Sequence, residues 1–172
     1  MPTSPVPLTR DHDRSGFCSS APELDEWLIV YARQNGERNT ARTFVSLADP
    51  PGPGEPPGRV VGYYSLAVTS VDRSEAPGVI AKGSPQRVGC LLLARLAVDE
   101  QYQSVRLGAG LLQDALRRAA WLSDEVGMQA VLVHSRDETA QSFYLHIAEF
   151  LPSEGAPLQL WLPMSVVRAK FR

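Results

Sequence analysis

Apolar positions in this chain recur with two periods, one of about 3.6 residues and one of about 2, and their alternation predicts the order of elements. Leu24, Trp27, Leu28 and Tyr31 share one helical face, with Ser20 placed as the N-cap and Pro22 in the first turn. Residues 42–47 read as a strand. Residues 49–58 hold five prolines and three glycines, too many breakers for either regular element, and so form a surface loop. β-Branched and aromatic residues dominate 59–69, which is expected to pair antiparallel with the preceding strand as a hairpin. A polar stretch containing Pro77, Gly78, Gly83 and Pro85 follows.

The near-continuous apolar run 91–98 has strand length and suits a central strand covered on both faces. Leu107, Leu111, Leu112, Ala115, Leu116, Ala119 and Leu122 then keep helical spacing. Residues 129–134 read as a strand, 138–146 as a short helix and 158–164 as a last strand beyond a turn region with Pro152, Gly155 and Pro157. The tail after Pro163, with Arg168, Lys170 and Arg172, reads as a solvated end. The fold class is therefore α/β, with strands mostly antiparallel at the front. A parallel central pair lies within 91–134, because a helical crossover joins those two strands.

At 172 residues the chain is expected to form one domain, 1–172. Apolar residues make up 44% and charged residues 21%, which excludes wholesale disorder and fibrous repeats. Cys18 and Cys90 belong to no CxxC or Cys/His cluster, so neither a metal site nor a disulfide framework is expected, and the compartment is read as reducing and cytoplasmic. The N-terminus lacks the apolar core of a signal peptide, and Arg95 interrupts the most apolar run, so no membrane segment is expected. A net charge of −2 does not decide whether nucleic acid is bound, since a local basic patch suffices to displace counterions.

Among loops, 101–110 is the candidate for chemistry. A glycine-bearing turn leading from strand to helix presents unpaired N–H groups and the positive end of the helix dipole to an anion. It carries neither a P-loop nor a complete dinucleotide fingerprint, and from the residues alone an ordinary ligand-free turn explains it as well. His134 and His146 stand alone at a strand end and a helix tail and read as solvated or packed residues. Cys90 has no activating neighbour and reads as a buried thiol. Arg33, Arg38, Arg42, Arg87, Arg117, Arg118 and Arg136 could build an RNA-facing surface, although each alone reads as ordinary solvated charge.

The segments LARLAVD (93–99), YQSVRLGAGLL (102–112) and AQSFY (140–144) resemble GNAT acetyltransferases, whose diphosphate loop reads Q/R-x-x-G-x-G/A. With LDEWL (24–28), ARTFV (41–45), GYYSLA (62–67) and PLQLWLP (157–163), the chain resembles the GNAT toxins of toxin–antitoxin pairs over about residues 8–164. The resemblance implies a GNAT fold, a mixed and mostly antiparallel sheet with a splayed central parallel strand pair flanked by helices. It implies acetyl-CoA as acetyl donor, without metal. The backbone of Leu96, Ala97 and Val98 would pair with the pantetheine arm as an added strand. Gln103, Ser104, Val105, Arg106, Leu107, Gly108 and Ala109 would cradle the diphosphate. Asp99 reads as a turn residue at the strand end. Arg106 departs from the pattern, standing where glycine would tolerate a positive φ and close phosphate approach. Two outcomes compete: the stem turns outward and the guanidinium supplements phosphate binding, or it fills the groove.

By the same resemblance Tyr144 is the general acid that protonates the departing thiolate; without it the residue reads as a packed aromatic. No general base is obvious. A free α-amino group has a pKa of about 7.7–8.0, and esterification of the adjacent carboxyl lowers it, so part of the amine is neutral near pH 7. The implied substrate is the α-amine of aminoacyl-tRNA, acetylated to block translation. A ribbon-helix-helix antitoxin and a homodimer are the implied partners. Acetylation of a protein N-terminus or small amine, and a non-catalytic partner protein disabled at Arg106, are the alternatives.

Overall fold

The computed structural model describes residues 1–172. Val6–Pro7 forms a short edge strand (β1). The first helical stretch comprises Pro22–Glu26 (α1), a π-helical turn Trp27–Tyr31, and Ala32–Glu37 (α2). Ala21, not Ser20, is its N-cap; Ser20 lies in the left-handed region at φ 76°, and its hydroxyl donates to Glu100. The π turn corrects the expected face as well. Ala32 N–H donates to the carbonyl of Trp27, which inserts one extra residue, so Ala32 is buried at 1% exposure while Tyr31 turns outward at 44%. Carbonyls loosened by the wider turn are taken up by Arg14, whose Nη1 donates to Leu28 and Ile29 at 3.0 and 3.2 Å.

Arg42–Leu47 (β2) and Val60–Asp72 (β3) form the antiparallel hairpin the pattern predicts, in register Phe44↔Tyr64. The first seven residues of β3 are all buried, because helices or loops cover both faces there; beyond Leu66 the burial becomes incomplete. The polar stretch that follows holds a 3-10 turn, Arg73–Glu75, and the short helix Gly78–Ala81 (α3). Arg87–Val98 (β4), Leu107–Leu122 (α4), Ala130–His134 (β5), Glu138–Ile147 (α5) and Ala156–Pro163 (β7) lie within a few residues of their predicted positions; Leu151–Ser153 (β6) escapes the pattern. The expected solvated tail is instead a helix, Met164–Phe171 (α6), with Met164 and Val167 buried, Arg168 and Arg172 both paired to Asp124, and Lys170 paired to Glu149.

The seven strands form one sheet in the order β1-β2-β3-β4-β5-β7-β6. The β4–β5 pair is parallel, as the crossover through α4 requires. Its register runs only from Cys90↔Ala130 to Leu93↔Val133, so residues 94–98 continue past the parallel pairing.

The chain divides into two compact units, Met1–Ala67 with Arg95–Asp114, and Val68–Ala94 with Ala115–Arg172. In the first, Phe17, Trp27, Leu28, Val45, Val60 and Tyr63 form the core, and Tyr63 stacks on Trp27 at 6.0 Å between ring centroids. In the second, Val88, Cys90, Ala130, Leu132 and Trp161 pack together, and the Trp161 indole donates to Ser153. Each fully buried leucine, valine or aromatic contributes about 1.5–3 kcal/mol. No helix is long and apolar enough to cross a membrane.

Gly62 sets how closely α4 approaches β3. A Cβ there would lie 3.0 Å from methyl carbons of both Leu107 and Leu111. Gly62→Val is therefore expected to destabilise the protein by about 1–3 kcal/mol through overpacking, measured by urea denaturation.

Candidate active site

The site begins where β4 ends. Asp99 is 2% exposed, and its carboxylate accepts from the N–H of Gln101 at 3.0 Å and of Cys18 at 3.2 Å. Arg59 lies 3.3 Å from the same carboxylate, over the Tyr102 ring and paired with Glu55. The expected turn residue is thus the N-cap of the 3-10 run Glu100–Val105 and the anchor of three chain segments. Gln103 reinforces the tie, since its side-chain N–H₂ donates to the carbonyls of Ser19 and Val98, both at 3.0 Å. The amide of Gln103 therefore fixes the loop from within.

Arg106 ends the 3-10 run at φ 61° and ψ 22°, in the left-handed region that the motif's glycine would occupy. Its side chain is exposed, so the stem turns outward rather than filling the loop. Gly110 N–H donates to the Arg106 carbonyl at 3.2 Å and closes the first turn of α4. The N–H groups of Leu107, Gly108 and Ala109 come before that ladder and remain available to an anion at the positive end of a 16-residue helix. Gly110 faces open space, where an added Cβ would meet nothing within 4 Å. Ser104 and Val105 are exposed, whereas Gly108 and Ala109 are half-buried. Such a turn fits a diphosphate. Leu96 and Val98 are half-buried and Ala97 is buried on β4, in the stretch beyond the parallel register, where main-chain groups can receive an extended ligand.

Tyr144 belongs to the second unit. It sits on α5, 7% exposed, with its ring edge-on to Phe143 and Phe150 at centroid distances of 5.2 and 5.9 Å. Asp137 caps that helix by accepting from Ala140 N–H at 2.8 Å. Burial pushes the phenol pKa up, which keeps the hydroxyl protonated. His134 and His146 are exposed. No cluster of His, Cys, Asp or Glu could hold a metal ion.

Cys90 is buried, and desolvation raises its thiol from 9.0 to about 11. Because the folded pKa lies above the unfolded one, the neutral thiol stabilises the fold fully below about pH 9, and that contribution is lost as pH rises to about 11. Arg59 was not foreseen as a site residue; it follows the proline-rich loop without a periodic signal.

The turn, the strand end beside it and the sheet order match the GNAT fold that the sequence motifs imply. No family model matches the sequence. A tRNA-acetylating toxin of Mycobacterium tuberculosis is 38% identical over 167 residues, covering 97% of this chain and 95% of the relative. AtaT complexed with acetyl-methionyl-tRNAfMet has the same fold at a TM-score of 0.87 and 24% identity, covering 100% of both chains. A tyrosine-to-phenylalanine variant of AtaT, bound to the C-terminus of the antitoxin AtaR and acetyl-CoA, matches at a TM-score of 0.80 and 22% identity over 97% of this chain and 96% of that one. The chain belongs to the family of the tRNA-acetylating GNAT toxins.

Two measurements check the site. Arg106→Gly is expected to leave stability within about 1 kcal/mol, because relief of the left-handed residue is offset by a more flexible unfolded chain. It should weaken acetyl-CoA about fivefold in calorimetric titration, whereas tighter binding would show the arginine obstructs. In the native protein, iodoacetamide at pH 8 is expected to label Cys18 and spare Cys90, with both labelled in urea.

Proposed function

We propose that residues 1–172 form one acetyltransferase domain in which residues 103–109 hold the diphosphate of acetyl-CoA, Leu96, Ala97 and Val98 receive its pantetheine arm, and Tyr144 is the general acid. The protein is an acetyl-CoA-dependent N-acetyltransferase that acetylates the α-amine of aminoacyl-tRNA, a toxin held in check by an antitoxin. The observation that carries this reading is the left-handed turn at Arg106, which leaves the first N–H groups of α4 open beside the end of β4. The 38% identical tRNA-acetylating relative, with the AtaT complexes that hold acetyl-methionyl-tRNA, AtaR and acetyl-CoA, supports the substrate and the partner.

In the reaction, the neutral amine attacks the thioester carbonyl, whose oxygen becomes an oxyanion stabilised by a main-chain N–H of β4. The C–N bond forms, the C–S bond breaks, the ammonium proton is released to solvent, the thiolate takes the Tyr144 proton, and the tyrosinate is reprotonated from solvent before the next turnover. Burial raises the Tyr144 phenol, so it carries its proton until the thiolate departs. The antitoxin is of ribbon-helix-helix type, the toxin is a homodimer, and the compartment is the cytoplasm.

Purified protein incubated with acetyl-CoA and a panel of charged tRNAs is expected to yield N-acetyl-aminoacyl ester, and acetyl-CoA binding without product from any tRNA would overturn the substrate. Tyr144→Phe should lower kcat by about 10²–10⁴-fold while leaving acetyl-CoA affinity and Tm unchanged.

A further inference from the structure

Arg95 lies on β4 in the stretch where pairing with β5 has ended, immediately before Leu96. Its guanidinium sits over the Trp27 ring, with Cζ 4.2 Å from the centroid. Trp27 is only 8% exposed and stacks in turn on the fully buried Tyr63, whose hydroxyl donates to the Leu24 carbonyl at 2.7 Å. The cation therefore rests on a platform of two packed rings, which holds it in place.

The guanidinium is half-buried, yet it makes neither an ion pair nor a hydrogen bond. The ionisable group that acts on it is Tyr63 on β3. Glu23 and Asp25 of α1 act on Tyr63 in turn, and Asp25 is spent on the N–H and hydroxyl of Ser19. Burial pushes the Arg95 pKa down, but a guanidinium keeps its charge at any working pH. A cation drawn partly out of water with no anion beside it costs stability, and packing on Trp27 offsets that cost only in part.

Its place along the strand gives the charge a use. With the diphosphate at 103–109 and the arm on Val98, Ala97 and Leu96, the cofactor runs back along β4, and its acyl end arrives at the Arg95 end of that stretch. The acceptor amine has to come within about 3–3.5 Å of the thioester carbon there. Part of it arrives as ammonium, and no general base is at hand: His134 and His146 are both exposed. A fixed positive charge nearby disfavours the protonated form of an amine and does the work of a base without taking the proton.

We infer that Arg95, fixed on Trp27, acts through its charge to keep the α-amine of the bound acceptor unprotonated, in place of a general base. The ammonium sheds one proton to solvent before attack, and the freed lone pair forms the C–N bond. This rests on the aminoacyl-tRNA reading above and concerns the amine alone, neither cofactor binding nor the Tyr144 step.

Single-turnover acetylation of charged tRNA at saturating protein, followed from about pH 5.5 to 8.5, tests it. In the wild type the midpoint of the acid limb is expected roughly one unit below the pKa of the same amine free in solution, taken from the pH dependence of its uncatalysed reaction with acetic anhydride. Arg95→Gln should move that midpoint up by roughly one unit, so that the rate falls about five- to tenfold near pH 6 and stays near wild type at pH 8.5. Arg95→Lys keeps the charge and should keep the wild-type midpoint. Equal midpoints for the wild-type reaction and the free amine would overturn the inference without recourse to any variant. So would a loss in Arg95→Gln that is the same at every pH and is not rescued by lysine, which marks a packing role. A wild-type protein that binds acetyl-CoA but acetylates no charged tRNA would instead overturn the underlying reading, and this inference with it.

Discussion

The buried carboxylate of Asp99 is the constraint on which the candidate active site depends. It holds the end of β4, the segment at Cys18 and the guanidinium of Arg59 in one cluster. A charge this deeply buried is tolerated only because two N–H groups and one cation surround it; removal of a partner would leave it uncompensated. Its position fixes where the 3-10 run starts, and hence where the chain must reverse hand at Arg106 to enter α4. The anion-facing end of that helix follows from a side chain that itself never needs to meet the ligand.

Long periodic segments were readable from the residues because tertiary packing reinforces their pattern. Leu111, Leu112, Leu116 and Ala119 are fully buried along α4, and β2 runs over the residues its β-branched and aromatic content implies. Short edge elements were not. Val6–Pro7 and Leu151–Ser153 exist because a neighbouring strand offers them hydrogen bonds, and two or three residues carry no period. The terminal helix was hidden differently: its basic residues suggest a solvated tail until Asp124 and Glu149 are seen to face them.

For the candidate site, the loop and its odd arginine were visible as a motif, and the structure turns the Arg106 side chain outward at the left-handed position. Tyr144 was visible only by resemblance. Arg59 and the carbonyls that hold Gln103 could not be anticipated, since contacts such as Gln103 to Ser19 join residues far apart in sequence.

The widened turn at Trp27–Tyr31 has a geometric consequence. One inserted residue rotates everything after it by about 100° relative to an unbroken α-helix. Were that residue deleted, Ala32 would leave the interior, and the Arg33–Glu37 pair, which follows the turn on the same helix, would rotate as a unit to a different face. The helix therefore acts as a dial whose setting is stored in a single surplus backbone unit, so that a change of chain length there would redirect charge on the surface without altering any charged residue.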